Sequence, residues 1–439
     1  MQLSVIKTAY GRQKRRHPAL FALLTAVLVL VCSAALARLC QNGSTYHTGQ
    51  WDDGSQALVF GRMLQMQQDQ TAPGGFMGVY TQDWGDAQNR YLYRENTPVQ
   101  PETYKSYTHQ TGLQGWAFGV LNKAFSVFED GGEAREVLLY TTNSVLFYAA
   151  TLALCLLLRR ALGLLPAAFW LLAALCAPWV QRGMKDLYWC LWLWLLPLLA
   201  AALLCRQAVR RGNAPWWAFA LVFATVLVRS MCGFEFVSTL LITAELPLVY
   251  AWAAARTQKQ SALPWVKRMA GTGLAGVGGV AGALGIWLCQ GRVYYGNWAE
   301  SLANVAGAVT SRVSISDAAV RDVTVGAVIQ KYLLDPDAVL RFGPVQISIL
   351  ALIVIAAAAL AAGLLLGKTA RKSLLPLGLA WAVSFLAPLS WMVLSKAHAD
   401  IHTQLIPMLW HFVFVPLSCA MVGKVLALAL QTLRSKRKG

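Results

Sequence analysis

The sequence predicts an all-α polytopic membrane protein: about ten transmembrane helices, and two large extracytoplasmic loops carrying interfacial amphipathic helices. Three observations lead there. The 439 residues are 57% hydrophobic and only 13% charged, with a mean hydropathy of +0.48, whereas ordinary soluble domains carry about 25% charged residues. Runs such as FALLTAVLVLVCSAALA (21–37) and QISILALIVIAAAALAAGLLL (346–366) approach or exceed the length that spans a bilayer. The basic residues, which set a net charge of +18, fall in short runs between apolar segments: KRR (14–16), RR (159–160), RQAVRR (206–211), RTQK (256–259), KTARK (368–372) and RSKRK (434–438). That placement is the positive-inside pattern of membrane proteins, not a nucleic-acid-binding surface.

Hydropathy with flanking charge places the spans near 18–39, 138–158, 162–180, 187–205, 214–232, 234–255, 269–290, 344–366, 373–395 and 404–431. With the basic N-terminus in the cytoplasm, ten crossings return the basic C-terminus to the cytoplasm, as expected for a multi-pass protein of the cell membrane. The stretches assigned to the inner side hold 21 of the 38 Lys and Arg and none of the 20 Asp and Glu. Two large loops, 40–137 and 291–343, then face outward from a single membrane domain covering 1–439. The first span ends in Ala35-Leu36-Ala37, which could be a signal cleavage motif. Its apolar core exceeds the usual signal length, so a retained anchor is expected. Nine cysteines lie mostly within apolar segments without a CxxC pair, as small buried hydrophobes do.

In the first outer loop, SQALVFGRMLQMQQ sets Val59, Phe60, Met63, Leu64 and Met66 on one helical face and Arg62, Gln65 and Asp69 on the other, predicting an amphipathic helix along the membrane surface. After a TAPGGFMG break, GLQGWAFGVLNKAFSVF places Leu113, Trp116, Val120, Leu121, Ala124 and Phe128 on one stripe. The second loop starts polar and aromatic (GRVYYGNWAE), turns helical around 317–333 and closes in LDPDAVLRFGP, where Asp-Pro and Gly-Pro mark turns. GTGLAG (271–276) matches a dinucleotide fingerprint only literally: it opens an apolar span with no preceding strand. Ala275, Gly279 and Ala283, four apart, point instead to close helix packing.

The candidate chemistry begins at WDDGSQ (51–56). Asp52 and Asp53 stand outside the membrane at the start of the first amphipathic helix. A carboxylate there can act as general base for a hydroxyl or bind a divalent cation; the same residues can simply cap the helix. Asp83, in YTQDWGD, is the next outer acid. The short loop LSKAHADIHTQ (394–404) gathers Lys396, His398, Asp400 and His402. Its histidines share a helical spacing, and its cations suit a phosphate. Arg229 and Glu235 bracket an outer turn where they could pair. Arg182, Lys185 and Asp186 form another small outer cluster, and Glu245 lies within a span, where an ionisable group is expensive.

WDD after the first span, the helices SQALVFGRMLQMQQ and GLQGWAFGVLNKAF, and the basic outer loop SKAHADIH together resemble the membrane glycosyltransferases of the GT-C superfamily. The likeness covers the N-terminal third and the overall topology. It implies transfer of a sugar from a polyprenyl-phosphate donor to a cell-envelope glycan, lipid or protein at the outer face. Asp53 or Asp52 would then be the base or hold a metal. Lys396, His398, His402, Arg229 and Arg182 would hold the lipid phosphate. Two other readings stand beside it: a transporter or lipid-linked-sugar flippase working at a midplane site around Glu245, and a non-catalytic envelope-assembly subunit.

Overall fold

The computed structural model describes residues 18–43, 52–80, 86–313, 323–335, 337–402 and 405–436. Asp83 lies outside them, as does the 317–322 part of the helix expected at 317–333. Each expected span is met by an apolar helix. Seven are long and apolar enough to cross a membrane: α1 (Pro18–Gly43), α5 (Gly132–Ala161), α8 (Leu191–Arg211), α10 (Val237–Thr257), α11 (Leu263–Tyr295), α15 (Lys368–Leu394) and α18 (Phe414–Lys436). Three are shorter: α6 (Leu164–Leu175), α9 (Trp216–Met231) and α14 (Ile349–Leu364). Their 12 to 16 residues extend only about 18–24 Å against a hydrocarbon core of about 30 Å.

Two expected spans are broken. The stretch 162–180 stops at Leu175 because Pro178 cannot continue the ladder and opens a new helix, α7 (Pro178–Gly183). The stretch 404–431 divides into α17 (Ile406–His411) and α18.

Small residues bring the helices together. α9 packs on α11 where a side chain at Gly279 would lie 2.7 Å from the Phe223 carbonyl oxygen, so the GTGLAG region is a helix contact. α10 lies between α15 and α8, and α18 packs against α6 and α14. The core carries Trp194, Trp287, Trp391 and Trp410, all nearly inaccessible. Five of the nine cysteines are buried, and all nine are free thiols.

The segment between α1 and α5 differs from expectation at its first helix. α2 (Asp53–Gln67) does not lie on a surface: Gln56 through Gln65 are all buried, Arg62 and Gln65 among them. Its polar face is covered. Arg62 donates to Gln65 and stacks 3.7 Å over the Trp116 ring of α4 (Leu113–Phe125). α2 also packs on α3 (Asp86–Arg94) and on β1 (Gly78–Val79), which pairs antiparallel with β2 (Lys105–Ser106). α4 turns Trp116 and Val120 outward, as lipid contact requires, and presses Gly115 and Gly119 onto Met77 and Met66.

At Gly61 the helix meets the Gly78 carbonyl with no room for a methyl group. Gly61→Ala is therefore expected to destabilise the protein by about 1–3 kcal/mol, read as a lowered midpoint of thermal unfolding in detergent.

Beyond its apolar stretch α11 runs on to Tyr295. It is stopped by Gly296 at φ +80°, and a further helix, α12 (Trp298–Val313), follows, its start capped by Asn297. The sequence pattern predicts a helix only further on, at 317–333. α13 (Val325–Leu334) and the hairpin of β3 (Leu340–Phe342) with β4 (Val345–Ile347) complete it, with Gly343-Pro344 as the expected turn. α13 is pinned to α16 (Lys396–Ile401): Lys331 pairs with Asp400 at 2.9 Å and the Tyr332 hydroxyl donates to the Ala399 carbonyl.

Candidate functional site

The sequence places Asp52 and His402 about 350 positions apart, and the fold brings them within electrostatic reach. Asp52 is the N-cap of α2, one oxygen accepting from the Ser55 backbone N–H at 3.4 Å. The other accepts the Trp189 indole N–H at 2.6 Å. Each oxygen keeps a further lone pair, so capping and proton acceptance are compatible. Asp53 is the first residue of α2; its side chain lies outside the described residues.

Trp189 belongs to the turn between α7 and α8, ordered by Asp186, whose carboxylate accepts from the Tyr188 and Trp189 backbone N–H groups. Gln56 of α2 accepts from Leu187. Behind Trp189 stands an aromatic wall. Its ring centroid is 5.9 Å from that of Trp194 and 5.8 Å from that of Phe236, and Phe236 is 4.9 Å from Trp391. Trp391 reaches His398 at 5.6 Å, and His398 stands 4.3 Å from His402. The two histidines do share a face. Lys396 begins the same short helix, half-buried.

Glu235 is buried on the turn before α10, close enough to raise the proton affinity of His402. Gln110 is fully buried with neither amide atom hydrogen-bonded. Its oxygen lies beside Gly233, as does the Glu235 carboxylate. Arg229 is also buried; it donates to the Gly233 and Glu235 carbonyls and stacks 5.2 Å over Trp194, forming the back of the wall. Arg182 lies over Trp179 at 4.8 Å, on α7.

The residues before α8 and α10, Cys190 and Phe236, both hold left-handed backbone angles (φ +47° and +62°). For a bulky residue such a conformation is strained, and strain of this kind clusters at functional sites. Both flank Trp189 or Glu235.

Burial raises the Asp52 carboxyl above its ordinary value, against the lowering pull of Ser55, Trp189 and His402. Burial lowers the His402 imidazole, against the opposing pull of Asp52 and Glu235. The consequences for stability have opposite signs. His402 favours folding while neutral, so its contribution is lost as pH falls below about 6.5, where the unfolded imidazole gains its proton first. Asp52 favours folding while protonated, so its contribution is lost as pH rises through its raised folded value. Histidine replacement (His402→Gln) is expected to flatten the acid-side decline between pH 6.5 and 5, measured as unfolding midpoint against pH.

Among the described residues, no group of three or more His, Cys, Asp or Glu is arranged to hold a metal ion. Trp189, Trp391 and Gln110 are not among the residues that the sequence singles out, and Glu235 is expected as a partner for Arg229 or, in the transporter reading, along the path beside Glu245. The aromatic density of DLYWCLWLWL (186–195) was the available signal.

No protein-family model matches the chain, and no curated protein matches it. Among solved structures it is similar to the apo form of the Archaeoglobus fulgidus oligosaccharyltransferase, at 14% identity and a TM-score of 0.45, over 94% of this chain and 51% of that one. This chain therefore spans about half the length of that protein.

Proposed function

We propose that this membrane protein is a GT-C-type glycosyltransferase that moves a sugar from a polyprenyl-phosphate donor to a cell-envelope acceptor at the outer face. One observation carries the reading: an acid beside the first span, Asp52, meets the His398–His402 pair of the last outer loop across an aromatic wall.

In this reading ionised Asp52 takes the proton of the acceptor hydroxyl as its oxygen bonds to the anomeric carbon. The bond from that carbon to the phosphate oxygen breaks, and the electron pair leaves on the lipid phosphate. The Lys396 ammonium and the ring N–H groups of His398 and His402 would meet the departing charge. Trp189 orients the base. Asp53 and Asp83 remain the other outer acids available for this role, and a divalent cation would be held by such carboxylates.

The test is sugar transfer from a polyprenyl-phosphate sugar by the purified protein, with Asp52, Asp53 and Glu245 replaced separately. Loss with Asp52→Asn and retention with Glu245→Gln is the expected result. The reverse pattern would favour the flippase reading, for which Glu245 of α10 supplies an observation of its own: one buried carboxylate oxygen without a hydrogen-bond partner.

A milder variant probes the orienting contact. Trp189→Phe keeps the ring and removes the donor to Asp52. The acid limb of the transfer–pH profile is expected to move up by about one unit, because a hydrogen bond to the charged carboxylate is lost.

A further inference from the structure

α8 and α10 begin at the Asp52 cluster, and each runs 21 residues away from it, about 30 Å at the helical rise. Their far ends, with the end of α5 and the start of α11, surround a hollow. It has a volume of about 860 Å³, within the roughly 300–1,000 Å³ range of ligand pockets. Its walls are apolar, from Leu154, Leu198 and Leu246 among others.

Its rim carries Arg160, Arg206, Arg210 and Arg268, and among the described residues no Asp or Glu lines it. Arg206 feels the charges of both Arg160 and Arg210. Arg268 is held in place by the Trp265 ring, 4.6 Å away, and by donation to the Gly212 carbonyl at 2.7 Å. Like charges gathered round one hollow repel unless an anion lies among them.

We propose that this hollow binds one anionic phospholipid, its phosphate between Arg206 and Arg268 and an acyl chain along the apolar walls that α5, α8 and α10 supply. Free phosphate would leave the apolar walls bare, and a zwitterionic lipid would leave most of the rim charge unmatched. Basic pockets between membrane helices take anionic headgroups for the same reason. The site is separate from the Asp52 cluster and does not depend on the transferase reading.

The test is native mass spectrometry of the full chain in neutral detergent, titrated with phosphatidylglycerol, phosphatidylcholine or inorganic phosphate. One phosphatidylglycerol is expected to remain bound where phosphatidylcholine does not, and millimolar phosphate should not displace it. Arg206→Gln with Arg268→Gln should weaken retention about thirtyfold, since each cation near a membrane surface contributes roughly a factor of five. Equal retention of the two lipids overturns the proposal, as does displacement by phosphate or wild-type affinity in the folded double variant. Should the double variant misfold, the exposed-site variant Arg160→Gln decides in its place. Unchanged phosphatidylglycerol retention there counts against the pocket, and a severalfold loss supports it.

Discussion

Asp52→Asn is expected to lower sugar transfer about a thousandfold, the middle of the 10²–10⁴ range for losing a positioned general base, while leaving the protein folded. The two effects separate because of where Asp52 sits. Asn caps a helix as well as Asp does, so the bond from the Ser55 N–H survives, while the amide NH2 that replaces the second oxygen cannot accept the Trp189 indole N–H. The ability to take a proton is lost together with that orienting contact, whose own effect Trp189→Phe measures. Asp52→Ala removes both roles and should add a stability loss of about 1 kcal/mol. Equal, modest activity losses in the two variants would reduce Asp52 to a cap and move attention to Asp53. The pH profile supplies a second readout: because burial raises the Asp52 carboxyl, transfer should fall on acidification at a pH above the ordinary carboxylate range.

The largest stability effect is expected at Glu136. Its carboxylate is buried near the start of α5 and bonded at 2.5 Å to Arg90 and at 2.5 Å to Arg94, both on α3. Removing one member of a buried ion network leaves its partners desolvated and unpaired, which costs about 3–5 kcal/mol. Glu136→Ala should therefore loosen α3 from the bundle and lower the unfolding midpoint by several degrees. The five buried free cysteines provide the measurement, through their exposure to a thiol-reactive dye during heating. An unchanged midpoint would mean that this network contributes nothing net. Transfer activity should fall in step with the folded fraction and not beyond it, since the network touches no site residue.

The membrane helices were legible because the signal is local: hydrocarbon demands long apolar runs, and each run declares itself within its own sequence. Where the reading failed, the competing signal was local too but weaker. Pro178 ended the third expected span early, and Gly296 with Asn297 allowed α12 to follow α11 in what read as loop. α2 was misjudged for a different reason. An amphipathic pattern says that two faces differ, not what covers the polar one, and Arg62 found its partners in Gln65 and Trp116 rather than in water.

The candidate site shows the same division. Asp52 and the 396–402 loop were visible as polar residues at chain positions where few are spared, because ionisable groups are rare in so apolar a chain. That one lies across an aromatic wall from the other was not visible. Their meeting depends on Trp189, Phe236 and Trp391 from three separate helix ends, and on Asp186 ordering one of those ends. The sequence by itself determined the class of protein, where its long apolar helices lie and the short list of chemically able side chains, since these follow from composition and period. Only the tertiary structure decided which of those side chains share a site, because proximity across about 350 residues comes from packing that no local pattern encodes.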